Sequence, residues 1–382
     1  MLSVVKIAFL GTALAVTGCA SLNPFSRDTK EKPADLVSFK PAVALKTAWM
    51  AKIGKSDGMQ FVPAVTKNAV FAASANGSIS SIDLQTGAVR WRIEAGLPLT
   101  AGVGTDGETV AVGASNGVLL AFDNNGKMKW TAQASSEILS APAVGEGVVL
   151  VRSIDNKITA FDAASGVRRW SVQRSAPALI LRAAPGIVIA DRTAYVALPG
   201  GRLSALSVDN GGPRWEIAVG DPRGTTELER IADVSGYPVI TGDDICAVAF
   251  QGRIGCFELA TGTPRWVKNF SSDAGLGADQ EAVVSVDERG HVVGFDRNGG
   301  GDKWRNEKLA GRNPSSPGLL DGYVVVGDYQ GFVHLLSRGN GEFAARMPTD
   351  GSRIAARPII AGTKLIVQTQ SGSVVAFHLA KG

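Results

Sequence analysis

Ala160-Phe161-Asp162-Ala163-Ala164-Ser165-Gly166-Val167-Arg168-Arg169-Trp170 is the stretch on which the fold turns. It reads as the end of one strand, a turn capped by Asp162 and closed by Gly166, and the start of a second strand that carries a Trp. The same step recurs along the chain. Seven Trp stand at 49, 91, 130, 170, 215, 266 and 304, and six of them follow a Gly by four residues: Gly87, Gly126, Gly166, Gly211, Gly262 and Gly300. A seventh step, from Gly339, ends on Phe343. These glycines are 38 to 51 residues apart, the length of one propeller blade. One Gly, Gly382, and one Trp, Trp49, are left over at the two ends of the chain. If the segment 47–53 supplies the strand that follows Gly382, the turns and the aromatic strands balance and the ring closes. The expectation is an all-β fold, an eight-bladed β-propeller of four-stranded blades, closed by an N-terminal strand that completes the last blade.

Within one period the apolar runs are short and separated by turn pairs. In the first they are 61–65, 69–74, 78–83 and 89–94, divided by Lys67-Asn68, Asn76-Gly77 and Thr86-Gly87. Pro63, Pro142, Pro238 and Pro358 recur at one place in their units, with Pro317 close to it. A Pro cannot donate to a ladder, so this places the first strand of each blade at a free edge, on the central channel. Trp then falls on the outermost strand, wedged between blades, as a packing residue and not as part of a ligand cage.

Ahead of the repeat lies an address. Residues 1–6 form a short n-region made positive by Lys6, 7–16 are apolar, and Val16-Thr17-Gly18-Cys19 is a small-residue cleavage site ending in Cys. The apolar run is too short to span a bilayer. The layout resembles a lipobox, which implies a signal peptide over 1–18 and an acylated Cys19 as the first mature residue. Several acyl chains, at ~0.8 kcal/mol per buried CH₂, hold a protein to a membrane surface without spanning it. Ala20 and Ser21 follow Cys19 where an inner-membrane lipoprotein carries Asp, so the implied address is the periplasmic face of the outer membrane. Residues 19–43, interrupted by Pro24, Pro33 and Pro41 and by charges over 27–32, read as a tether, with a partly docked arm as the alternative. At ~3.3 Å per residue, some twenty residues reach roughly 65 Å. The propeller is expected over 44–382.

Composition narrows the function. The 382 residues are 45% hydrophobic and 19% charged with a formal net charge of +4, which excludes a disordered chain, and the cations form no long run suited to nucleic acid. The three His, at 291, 334 and 378, are too scattered for metal-ligand spacing, so neither metal nor cofactor is expected. Carboxylates such as Asp83, Asp123, Asp162 and Asp296 are explained as turn caps.

The two longest periods are consecutive, Gly166 to Gly211 and Gly211 to Gly262, and their extra residues fall between an outer strand and the next inner one. Both insertions should therefore emerge on one rim. The first contains Ala178-Leu179-Ile180-Leu181-Arg182, apolar where a polar loop is expected. The second contains Thr226-Glu227-Leu228-Glu229, a capping box for a helix of one or two turns, followed by Asp233. An apolar segment with an Arg and acidic neighbours has the chemistry of a partner-binding patch. From composition alone it equally fits a plug for the channel or a cover for a blade edge. Cys246 and Cys256 flank Phe250-Gln251-Gly252. A three-residue turn with Gly252 in the left-handed position sets them opposite each other for a disulfide, whereas a two-residue turn points them to opposite faces. An oxidising compartment favours the disulfide.

The repeat resembles that of the pyrroloquinoline-quinone (PQQ) enzymes and their non-enzymatic relatives. A PQQ-dependent periplasmic dehydrogenase needs a Ca²⁺, a carboxylate base and a clamped quinone. Such enzymes are longer and often carry adjacent cysteines. None are adjacent here, and no Cys-x-x-Cys-His is present for a haem. With its lipobox and tether, the chain more closely resembles the BamB family of lipoproteins of the outer-membrane β-barrel assembly machinery. That resemblance implies a non-catalytic scaffold that binds the POTRA domains of BamA, and through it the other lipoproteins of the complex, and assists nascent outer-membrane β-barrel proteins. It assigns the BamA contact to Leu179, Leu181 and Arg182 and to Asp233, with Arg182 restrained by Asp233 in the free protein. Ser235 stands where the family has a second acid.

Overall fold

The computed structural model describes residues 32–380 apart from 176, 182 and 183, so the signal segment, Cys19 and Gly382 lie outside it. Among the described residues the strands form eight four-stranded antiparallel sheets. Seven sheets are four consecutive strands each: 64–94, 99–133, 143–173, 187–218, 234–269, 276–306 and 318–348, numbered here as blades one to seven. The eighth blade has Ile359–Ala361, Lys364–Gln368 and Ser373–Ala380, and its outer edge is the N-terminal strand Ala44–Lys52. That strand runs antiparallel to Ser373–Ala380 from Ala44 opposite Ala380 to Lys52 opposite Ser373, with a bulge between Thr47 and Trp49. The first strands touch one another in a closed cycle, the last contact joining Ile359–Ala361 to Ala64–Val65. Pro63, Pro142, Pro317 and Pro358 stand next to their innermost strands, and Pro238 sits where the ladder of Val234–Thr241 breaks.

Blades stack face to face, so the second strands are buried on both sides. Ala69–Ala73, Val148–Arg152 and Ala282–Val286 are therefore continuously buried, mostly apolar runs instead of alternating ones. Outer strands alternate, as in Arg168–Gln173, and Trp takes the inward position.

The Trp and Gly of the repeat do meet, but across blades. The indole of Trp130 donates to Ala163 O at 3.0 Å, and a Cβ on Gly166 would lie 2.6 Å from the same indole. Gly166 also has φ +74°, so the turn needs glycine twice over. Equivalent joints are Trp49 with Gly87, Trp91 with Gly126, Trp170 with Gly211, Trp215 with Gly262, Trp266 with Gly300 and Trp304 with Gly341. Each indole donates to the carbonyl that opens the neighbouring turn. This corrects the expected seventh step. Gly341, not Gly339, closes that turn, and Ala345 occupies the Trp register while Phe343 stands two residues earlier. The joint between blades seven and eight thus carries no Trp among the described residues. Its physical reason is the closure itself: the outer strand of the eighth blade comes from the other end of the chain, so no covalent turn exists there to receive an indole.

The N-terminal segment lies against the blades before that joint, which corrects the tether boundary at 43. Ala34 N donates to Ala310 O at 2.9 Å, Ala42 N donates to Ala344 O at 2.8 Å, and Phe39 stacks on Phe343 with ring centroids 5.3 Å apart. Two guanidinium groups hold its carbonyls: Arg312 Nη1 reaches Ala34 O at 2.9 Å and Arg346 Nη1 reaches Val37 O at 3.0 Å. Behind them Arg312 is paired with the fully buried Asp328, which also meets His334 Nε2 at 3.0 Å. Arg346 Nε donates to His334 Nδ1 at 3.2 Å. Burial pushes the imidazole pKa down despite Asp328, which keeps His334 neutral and able to accept.

The sulfurs of Cys246 and Cys256 are 2.00 Å apart, on directly opposed residues of Asp244–Ala249 and Arg253–Glu258. The left-handed residue of the intervening turn is Gln251, with φ +46°, and not Gly252 as expected. Gly252 is required for a different reason: a Cβ there would come within 2.8 Å of Ala249 Cβ and 3.0 Å of Gly220 Cα. No described helix is long and apolar enough to cross a membrane.

Candidate functional site

The two insertions occupy 174–186, before Ile187–Ala190, and 219–233, before Val234–Thr241. Each is a join from a fourth strand to the next first strand. In an antiparallel blade such joins leave on the same face as the turn between the second and third strands. Asp233 connects all three. Its carboxylate accepts from Leu181 N at 2.6 Å, in the first insertion, and from Gly200 N at 2.9 Å, in the hairpin turn of blade four.

Asp233 is only 4% exposed, so it does not present its charge to a surface as expected. Burial pushes its carboxyl pKa up, opposed by the two backbone donors and by the charge of Arg152. Arg152, itself buried, is lowered to about 10 by desolvation and supplies the counter-charge from blade three. The acid therefore fixes the backbone from which Leu179 and Leu181 project. Ser235, at the place of the second acid, is buried as well, and its Oγ donates to Asp233 O. Leu179 is 42% exposed and Leu181 half-buried. Neither their exposure nor their backbone supports the reading as a channel plug. Arg182 lies outside the described residues, so its restraint by Asp233 is not described.

The second insertion is held at its root by Arg253, whose Nε and Nη2 donate to Val219 O and Ala218 O at 3.2 and 2.9 Å. The capping box forms: Thr226 Oγ1 accepts from Glu229 N, and the Glu229 carboxylate accepts from Thr225 N and Thr226 N. It closes a single turn with i to i+3 bonds and no helix follows, because Gly224 and Asp233 pin the ends of a short loop. That turn presents Leu228, 68% exposed. With its amide nitrogen turned inward, Gln251 donates to Glu229 O at 2.8 Å and Ile231 O at 3.1 Å. The disulfide-bearing hairpin of blade five thus props the second insertion.

Sequence reasoning missed Leu228, Arg152 and Gln251. Only Leu228 left a legible signal, an apolar residue inside a polar capping box. The carboxylates Asp83, Asp123, Asp162 and Asp296 each accept from the backbone of their own turns. Arg90 and the donors of Thr86 hold the Asp83 carboxyl well below the usual range. No group of three His, Cys, Asp or Glu side chains converges among the described residues.

A family model described as "Outer membrane protein assembly factor BamB" matches residues 75–306. The outer membrane protein assembly factor BamB of Burkholderia pseudomallei is 43% identical over 373 residues, covering 97% of each chain. The crystal structure of BamB from Moraxella catarrhalis superposes with a TM-score of 0.81 at 26% identity, covering 88% of this chain and 100% of that one. A quinohemoprotein alcohol dehydrogenase from Pseudomonas putida has a TM-score of 0.67 at 13% identity over 89% of this chain and 77% of its own, which is a likeness of fold alone.

Proposed function

Because the chain belongs to the BamB family of outer membrane protein assembly factors, we propose that it is a non-catalytic scaffold for inserting β-barrel proteins into the outer membrane. In this reading acylated Cys19 anchors it to the periplasmic face, and the rim bearing the two insertions docks on the POTRA domains of BamA. Leu179 and Leu181 supply buried area, and Arg182 supplies a charge-assisted hydrogen bond. Asp233 acts as a positioning residue, and Leu228 adds a second apolar contact beside the first.

The observation that carries the reading is Leu179, an exposed apolar side chain two residues before Leu181, whose backbone N–H a buried carboxylate holds together with Gly200 N of blade four. A loop so restrained loses little freedom on binding, so its buried area converts into affinity. The test is a pull-down from detergent extracts with the wild type and with Leu179, Leu181 and Arg182 replaced together. Recovery of BamA should fall sharply with the folded variant. Equal recovery would remove this interface from the proposal.

A further inference from the structure

The central channel holds a cation that the assembly role does not use. Arg357 lies two residues before Ile359–Ala361 of blade eight, and its Cζ sits 4.0 Å over the ring of Tyr237 from blade five. The two side chains form a bar across the channel. Tyr237 is itself wedged: a Cβ on Gly186 would come within 2.0 Å of its ring. Arg357 lines two open cavities, of about 380 Å³ toward blades one to four and about 490 Å³ toward blades six and seven.

Four other buried or half-buried arginines have an acid beside them: Arg312 has Asp328, Arg297 has Asp244, Arg338 has Asp279, and Arg152 has Asp233, while Arg346 is held by Val37 O and His334. Arg357 has no acid partner among the described residues, and its buried Nε has no hydrogen-bond acceptor among them. The acids that border the cavities are otherwise engaged or turned to solvent. Asp279 pairs with Arg338, Glu146 accepts from Arg192 N at 3.0 Å, and Asp321 sits in an exposed turn. Aliphatic side chains make up much of the lining, with Val65, Val103, Val144 and Ile189 on one side and Leu319 and Ile360 on the other, beside Thr105, the acid-paired Arg338 and exposed backbone. Both cavities reach the turns between first and second strands, on the face opposite the insertions.

We propose that this channel is a binding site for a carboxylate carried on an apolar body, with Arg357 as the anion receptor and Tyr237 as its fixed platform. One guanidinium without an acid partner, beside aliphatic side chains, matches one negative charge. A dianion such as a phosphate monoester would bring a second charge to be desolvated without a partner. The planar fork of Arg357, backed on one face by the aromatic ring, leaves its edge free for bidentate contact with a carboxylate. A free organic acid and the C-terminus of an extended polypeptide share this chemistry.

The experiment uses the purified protein and fluorescence anisotropy with a fluorescein-labelled pentapeptide of alanine and leucine. One form ends in a free carboxylate, the other in an amide, and 4-phenylbutyrate serves as the small acid, scored by competition and by thermal shift. The carboxylate form should bind saturably and the amide at least tenfold more weakly. Arg357→Gln should lose binding by a similar factor with unchanged circular dichroism and melting temperature, and Arg357→Lys should retain part of it. Should Arg357→Gln fail to fold, the acid and amide comparison on the wild type still decides. Binding of phenylbutyrate without the peptide would assign the site to small acids, and binding of the peptide to chain ends. Absence of binding by every acid, equal binding of acid and amide, or wild-type affinity in a folded Arg357→Gln would overturn the proposal.

Discussion

At the scale of single residues, seven of the eight inter-blade joints among the described residues are an indole held by a carbonyl and a glycine. Trp170 is 9% exposed and donates to Val208 O at 2.7 Å. Trp170→Ala should lower unfolding free energy in urea by ~3–5 kcal/mol through lost burial and a cavity. Trp170→Phe should cost less, because it keeps most of the ring but leaves Val208 O unpaired, a penalty of roughly 1–3 kcal/mol. Acids also tie the closing blade. Asp350 accepts from Ser373, Ser352 and Thr369 hydroxyls and pairs with Lys52 of the N-terminal strand. Burial would raise its carboxyl pKa, but those hydrogen bonds outweigh it and hold the pKa well below the usual value. A depressed pKa stabilises the fold above the unfolded value of about 4 and loses that contribution as pH falls below it. Melting temperature measured from pH 6 to pH 2 should therefore fall less steeply for Asp350→Asn than for wild type in the acid part of the range. Parallel curves would show that Asp350 contributes nothing to acid lability. Asp233 teaches the complementary lesson. As an Asp in a long insertion it reads as a surface charge, and only the fold reveals that it is enclosed by Leu181, Gly200 and Arg152.

At the scale of elements, the repeated step was legible because it is local: turn, glycine and Trp lie within a few residues of each other. Which Trp meets which Gly was not, since both partners recur in every blade and spacing along the chain cannot choose between them. The prolines and charges of the N-terminal arm read as a tether, although the apolar Leu36, Val37 and Phe39 within it are the available signal of a docked face. Phe39→Ala removes the stack on Phe343 and the contact with Arg346, whose Cζ lies 5.0 Å from the ring centroid. Limited proteolysis should then cut within 34–43 faster than in wild type, with a stability loss of about 1–2 kcal/mol. The blade-five hairpin closes a disulfide loop with a sequence separation of 10. Replacing Cys246 and Cys256 by Ala should lower stability in urea by roughly 2.5 kcal/mol. Because Gln251 at the hairpin tip holds the second insertion, hydrogen exchange over 224–231 should also accelerate. Unaltered exchange there would mean that the hairpin does not support the insertion.

At the scale of the whole molecule, ring closure turns consecutive repeats into neighbours on a disc and places both insertions on one rim. Leu179, Leu181 and Leu228 thereby belong to one face, while the Arg357–Tyr237 bar opens to the other. The closure was legible from an unpaired Trp49 at one end of the chain. The joint without Trp was not, because it follows from strand order: the outer strand of blade eight precedes blade one in the sequence instead of following Ser373–Ala380. In the proposed function this rim is the docking surface, with Leu179 as contact and Asp233 as its support. The most direct measurement is calorimetric titration of the periplasmic domains of BamA into wild type, Leu179→Ser and Asp233→Asn. The account predicts at least a tenfold loss of affinity, ~1.4 kcal/mol, for Leu179→Ser at unchanged melting temperature, and a smaller loss for Asp233→Asn accompanied by faster hydrogen exchange at Leu181. Wild-type affinity in folded Leu179→Ser would contradict it.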